Sequence, residues 1–147
     1  MTPTLNGRIQ TRVLVLGALG LLVALFITPL LPTGSLSLGQ SYRVTLSVLL
    51  AVILVGVLWE LLYHFLQQFR WEKDWPTLFG LLTMVNEGLL MWLLLRTTTI
   101  VLPEQLRPSA AAFLIHFVVT WIVFWLFVNG PIRLFFHRWR YNGGRFL

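Results

Sequence analysis

Cysteine is absent from this 147-residue chain, so neither disulfide staples nor thiol chemistry can contribute to it. Charge is scarce: Asp, Glu, Lys and Arg make up 11% of the residues, while 57% are hydrophobic. Soluble domains carry roughly 25% charged and about 45–50% apolar residues. A soluble globular domain is therefore not expected, and neither is disorder. Catalytic signatures are missing as well. The sequence holds no Gly-rich phosphate loop, no His-Glu-x-x-His and no Gly-x-Ser-x-Gly, which points away from the common enzyme classes. The Glu-x-x-His pairs of di-iron bundles are also lacking, and nothing else calls for a metal or cofactor.

What the chain does have is long uncharged windows. They run from Val13 to Tyr42, Val44 to Trp59, Trp75 to Asn86, Gly88 to Leu95 and Pro108 to Ile132. A membrane-crossing helix needs about 20 mostly apolar residues. The windows predict an all-α integral membrane protein: a single membrane domain with four spans near 13–31, 44–66, 77–95 and 110–128. Pro32, Gly34 and Gly39 mark a loop after the first span, and Pro76 sits where the third can start. Asn129-Gly130-Pro131 reads as a helix stop. The first apolar run exceeds the 7–15 residues of a signal-peptide core, so it is read as a retained span.

Loop charge sets the expected orientation. Arg8, Arg12, Arg70, Lys73, Arg133, Arg138, Arg140 and Arg145 fall on one side, against Arg43, Arg96 and Arg107 on the other. The positive-inside rule then puts both termini in the cytoplasm, with the chain in the plasma (inner) membrane. The net charge of +6 is on this reading a topology signal, with no basic face for nucleic acid. Trp71 and Trp75 mark the inner interface. Residues 131–147, with Arg133, Arg138, Trp139 and Arg140, read as a basic amphipathic segment lying on an anionic inner leaflet.

Contact faces in lipid favour small and polar residues, and residues three or four apart share a helix face. Gly17, Gly20, Ala24 and Thr28 stripe the first span. Gly56, Glu60, His64 and Gln67 stripe the second, with Tyr63 beside them. Gly80, Thr83 and Glu87 stripe the third, with Asn86 adjacent, and Ala112, His116 and Thr120 stripe the fourth. These predict a four-helix bundle with the stripes inward and Leu, Val, Phe and Trp toward lipid. At a rise of about 1.5 Å per residue, His64, Glu60 and Glu87 sit roughly 3, 9 and 15 Å from the inner boundary. With His116 and Thr120 beyond them they form a polar ladder, and Glu60 and His64 are spaced to hydrogen-bond.

A charged group at the bilayer centre costs about 2.5–3.5 kcal/mol, so Glu87 must be protonated, paired or wet. Two functions fit. One is a non-enzymatic accessory, structural or assembly subunit that packs against other membrane proteins or further copies of itself. The other is a small proton- or cation-coupled transporter or channel using the Glu/His ladder.

Overall fold

The computed structural model describes residues 3–72 and 76–147; Trp75, expected at the interface, lies outside them. The described residues form helices and connecting loops. Four helices are long and apolar enough to cross a membrane: α1 (Leu5–Leu30), α2 (Leu38–Gln67), α3 (Thr77–Thr97) and α4 (Ala110–Phe135). A short helix α5 (His137–Tyr141) follows.

Local chemistry explains where each helix begins. Thr4 caps α1, accepting from the Gly7 N–H. Ser37 and Gln40 form a reciprocal capping box that starts α2 six residues before the uncharged window opens at Val44. Ser109 caps α4 through the Ala112 N–H, and α3 starts directly after Pro76. The Asn129-Gly130-Pro131 stop is realised as a bend. Within α4 the regular helix breaks after Asn129, Gly130 changes direction, and Pro131 begins the last short stretch to Phe135.

Successive long helices run antiparallel in a ring. α1 packs on α2 and α4, and α3 packs on α4 and α2. One end of the bundle gathers the start of α1, the end of α2, the start of α3 and the end of α4. Bonds from Arg8 to Gln67 and from the Trp125 ring to the Thr77 carbonyl show this. At the other end the Thr28 and Thr45 hydroxyls meet at 2.9 Å, joining α1 to α2.

The outward faces carry large apolar side chains, among them Phe26, Leu54, Leu58, Leu78, Leu89 and Leu93. The inward aromatic content corrects the expectation that Phe and Trp point outward. Phe113, Phe117 and Trp121 stack along the inner face of α4 at centroid separations of 5.5 and 5.8 Å, all buried. Gly88 on α3 makes room, since a Cβ there would stand 2.8 Å from the Phe117 ring.

The C-terminal segment makes contacts the sequence reading did not include. It folds across the start of α1. Thr4 N–H donates to the Gly143 carbonyl at 2.9 Å, and the Gln10 side chain accepts from the Phe146 N–H at 2.8 Å. Trp139 is buried, its ring N–H donating to Thr11 Oγ1 at 2.8 Å. The close approach depends on glycine, because a side chain on Gly7 would overlap the Gly143 carbonyl. Gly143 and Gly144 make the return turn with φ of 61° and 88°, a region that glycine enters without strain.

Candidate functional site

Arg8 and Arg12 begin a row on α1 spaced by four residues: Arg8, Arg12, Leu16, Gly20, Ala24 and Thr28, every one buried. In a regular α-helix a four-residue step drifts about 40° round the axis. Residues 11–16 relieve part of that drift by forming a π turn, whose wider i→i+5 pitch rotates the row back. The small-residue stripe read from the sequence therefore continues into two arginines.

Those arginines answer what holds the intramembrane acids. Arg12 Nη1 donates to Glu87 Oε2 at 2.7 Å and Nη2 to Glu87 Oε1 at 2.8 Å, a bidentate pair. Its Nε and Nη2 reach Glu60 Oε1 at 3.0 and 2.8 Å. Arg8 Nη1 donates to Glu60 Oε2 at 3.1 Å, and Arg8 Nε and Nη2 go to Gln67 Oε1 at 3.3 and 2.8 Å. Two guanidinium groups thus balance two carboxylates. The Arg12 and Glu87 side chains are 3% and 2% exposed. At that burial neither charge is tolerable alone, and together they tie α1 to α2 and α3.

The surroundings are shaped to this cluster. The Arg12 guanidinium lies 5.4 Å from the Trp121 ring centroid, a cation–π contact. Gly56 is small because Arg12 passes over it, and a Cβ there would overlap the guanidinium. A cavity of about 290 Å³ adjoins the cluster at the end where both chain termini lie.

The remaining candidates fall in different places. His64 does not bond Glu60; its neighbour is the Gln68 amide at 3.4 Å, because Glu60 is taken up by the arginines. Asn86 is exposed on α3, with its side chain beside the Tyr63 hydroxyl of α2. His116 and Thr120 are buried one turn apart on α4 among Leu16, Val48, Val52 and Phe117. Neither His116 Nε2 nor Thr120 Oγ1 has a hydrogen-bond partner among the described residues. The polar groups therefore form a closed cluster and a separate buried pair, where the sequence suggested a continuous ladder.

Of the packing residues, Gly20, Ala24 and Gly56 are buried at close helix contacts. Gly17 and Gly80 leave room for a methyl, whose nearest neighbours would be Ile53 at 3.8 Å and Trp125 at 3.7 Å. Trp71 is fully exposed, and so largely are Arg138 and Arg140. Arg133 is half-buried in the cavity wall.

Arg8 and Arg12 are the cluster residues the sequence reading passed over, having been assigned to topology alone. Their signal was the four-residue register with Gly20, Ala24 and Thr28. No known protein family, curated protein or solved structure matches the chain.

Proposed function

We propose that the chain is a multipass integral membrane protein, with both ends on the cytoplasmic side, that works without catalysis as an accessory or assembly subunit of a larger membrane complex. The observation that carries this reading is the charge-balanced cluster of Arg8, Arg12, Glu60 and Glu87 inside a bundle with apolar outward faces. Charges within spans pair with one another or serve a pathway. Here both intraspan carboxylates are engaged by arginine, which favours a scaffold role over ion movement. The outward surface then offers little except apolar contact to lipid or to neighbouring membrane helices.

Orientation rests on the positive-inside rule. Arg70, Lys73, Arg133, Arg138, Arg140 and Arg145 still outnumber Arg43, Arg96 and Arg107 once Arg8 and Arg12 are set aside as cluster members. The anionic inner leaflet suits the exposed Arg138 and Arg140.

The test is solubilisation of native membranes in a mild detergent, followed by size separation and identification of what travels with the chain. Recovery within a heavier assembly of defined composition is expected. A monodisperse 17.0 kDa protein free of partners would overturn the subunit reading. Proton flux in proteoliposomes, lost on Glu87→Gln in a protein that still folds, would favour transport instead.

A further inference from the structure

The cavity at the termini end of the bundle holds a positive charge that its described surroundings do not balance. It lies between the first turns of α1, the first turns of α3 and the last turns of α4. Arg8, Arg12, Arg133 and Glu60 line it. Arg8 and Arg12 are balanced by Glu60 and Glu87. Arg133 is different. Its Nη2 donates to the neutral Asn129 amide oxygen at 2.7 Å. Its Nε–H is buried with no acceptor among the described residues. A buried donor left unmatched costs free energy, and more when it is charged.

The other walls are aromatic. Trp121, Trp125 and Trp139 line the cavity, and their ring N–H groups are already committed to Gly80 O, Thr77 O and Thr11 Oγ1. They therefore offer apolar surface, while Arg133 offers donors. Exposed Arg138, Arg140 and Arg145 on the same terminal segment add a field that draws anions toward this end.

We infer that this cavity seats a phosphate ester, with Arg133 holding the phosphate oxygens and the tryptophans flanking the organic part. A guanidinium fork matches phosphate geometry. At about 290 Å³ the cavity is at the small end of ligand pockets, with room for a phosphate and a glycerol-sized group but not a whole lipid. A phospholipid headgroup and a soluble phosphate ester share this chemistry. For the lipid, acyl chains would leave over the exposed Leu78 and Leu126 that flank Thr77 and Trp125 in sequence. Basic pockets between membrane helices on the cytoplasmic side bind anionic headgroups in this manner. The lipid source rests on the membrane reading above; the soluble source does not.

The experiment uses the purified full chain in neutral detergent. Phosphatidylglycerol and phosphatidylcholine compete for it in native mass spectrometry, and glycerol 3-phosphate is titrated by calorimetry. An Arg133-dependent preference for phosphatidylglycerol of about tenfold is expected, because both lipids offer the phosphate but the choline cation of phosphatidylcholine would meet the unbalanced charge of Arg133. Arg133→Gln should abolish it, Arg133→Lys should keep part, and Arg43→Gln, exposed at the opposite end of the bundle, should leave it unchanged. Heat with glycerol 3-phosphate but no lipid preference would assign the site to a soluble ester. Two results overturn the inference: wild-type protein that neither prefers phosphatidylglycerol nor binds glycerol 3-phosphate, or equal binding by folded Arg133→Gln. Because the first needs no variant, a poorly folding substitution does not shield the proposal. A second wild-type readout is quenching of tryptophan fluorescence, which brominated phosphatidylglycerol should produce more strongly than brominated phosphatidylcholine.

Discussion

Removing Arg12 tests whether the acids in the bundle are held by charge balance or merely fit there. In Arg12→Met, Glu87, whose side chain is 2% exposed in the bundle, loses both arginine bonds to its carboxylate and is left with the neutral Tyr63 hydroxyl beside it. Arg8 still reaches Glu60, so the loss falls mainly on Glu87. Leaving one partner of a buried pair uncompensated costs roughly 3–5 kcal/mol. The insertion cost of a lone mid-span acid, about 2.5–3.5 kcal/mol, gives a similar figure. Arg12→Met/Glu87→Gln leaves the Arg8–Glu60 pair intact and no buried unmatched charge on α3. If charge balance is the cause, the double variant should be more stable than Arg12→Met alone, with a coupling energy of about 2–3 kcal/mol, the upper range for contacting residues. The assay is a double-mutant cycle from reversible unfolding in mixed detergent micelles. Additive effects of the two substitutions, or an Arg12→Met protein as stable as wild type, would refute the argument. Arg12→Lys belongs in the same series. A single ammonium cannot fork onto two carboxylates, so it should recover less than half of the loss.

Four further outcomes follow from the geometry. Gly56→Ala places a methyl where the Arg12 guanidinium lies and should cost about 1–3 kcal/mol. By contrast, Gly17→Ala, with its nearest neighbour at 3.8 Å, should be neutral or stabilising by up to about 1 kcal/mol, both read from thermal unfolding in detergent. Trp139→Phe removes the 2.8 Å bond to Thr11 and should cost about 1–2 kcal/mol, with faster proteolysis or amide exchange confined to residues 137–147; unchanged protection would show that the segment is held elsewhere. Thr45→Val breaks the buried bond to Thr28 and should cost only about 0.6 kcal/mol, the average for hydroxyl bonds between membrane helices, so a loss several times larger would show that the bond carries more than that.

The number and class of the helices were legible because uncharged windows measure span length directly. Their ends were less so. α2 starts at Leu38 although Arg43 interrupts the apolar run, because the Ser37–Gln40 capping box sets the start of the helix independently of hydropathy. The aromatic face of α4 could not be oriented from sequence. Lipid and protein core are equally apolar, so Phe113, Phe117 and Trp121 suit either. Their partner Gly88 carried the clue, next to Glu87, whose place on the inward stripe was read. Trp139 was misassigned for a related reason. An amphipathic ring next to arginines reads as an interface anchor, and only the Gly143–Gly144 turn, folding the chain back over Gly7, buries it.

The deepest misreading was of Arg12, and its cause is physical. Cutting a span at the first charge assumes that charges avoid the apolar interior. That holds for an isolated charge, which carries the whole desolvation penalty. It fails when another helix brings the opposite charge to the same depth. Glu60 and Glu87 already required counterions, and few cations could reach them. Arg43 lies one turn into the far end of α2, Arg96 closes the far end of α3, Arg70 and Lys73 follow α2 in sequence, and Arg133 comes after the Gly130 bend, which leaves the arginines at the start of α1. Arg8 and Arg12 also share the four-residue register of the packing stripe, whereas an unrelated topology signal has no reason to keep that phase. Balancing acids against bases within each helix register, before drawing span limits, would have placed the start of α1 near Leu5 and set both arginines inside the bundle.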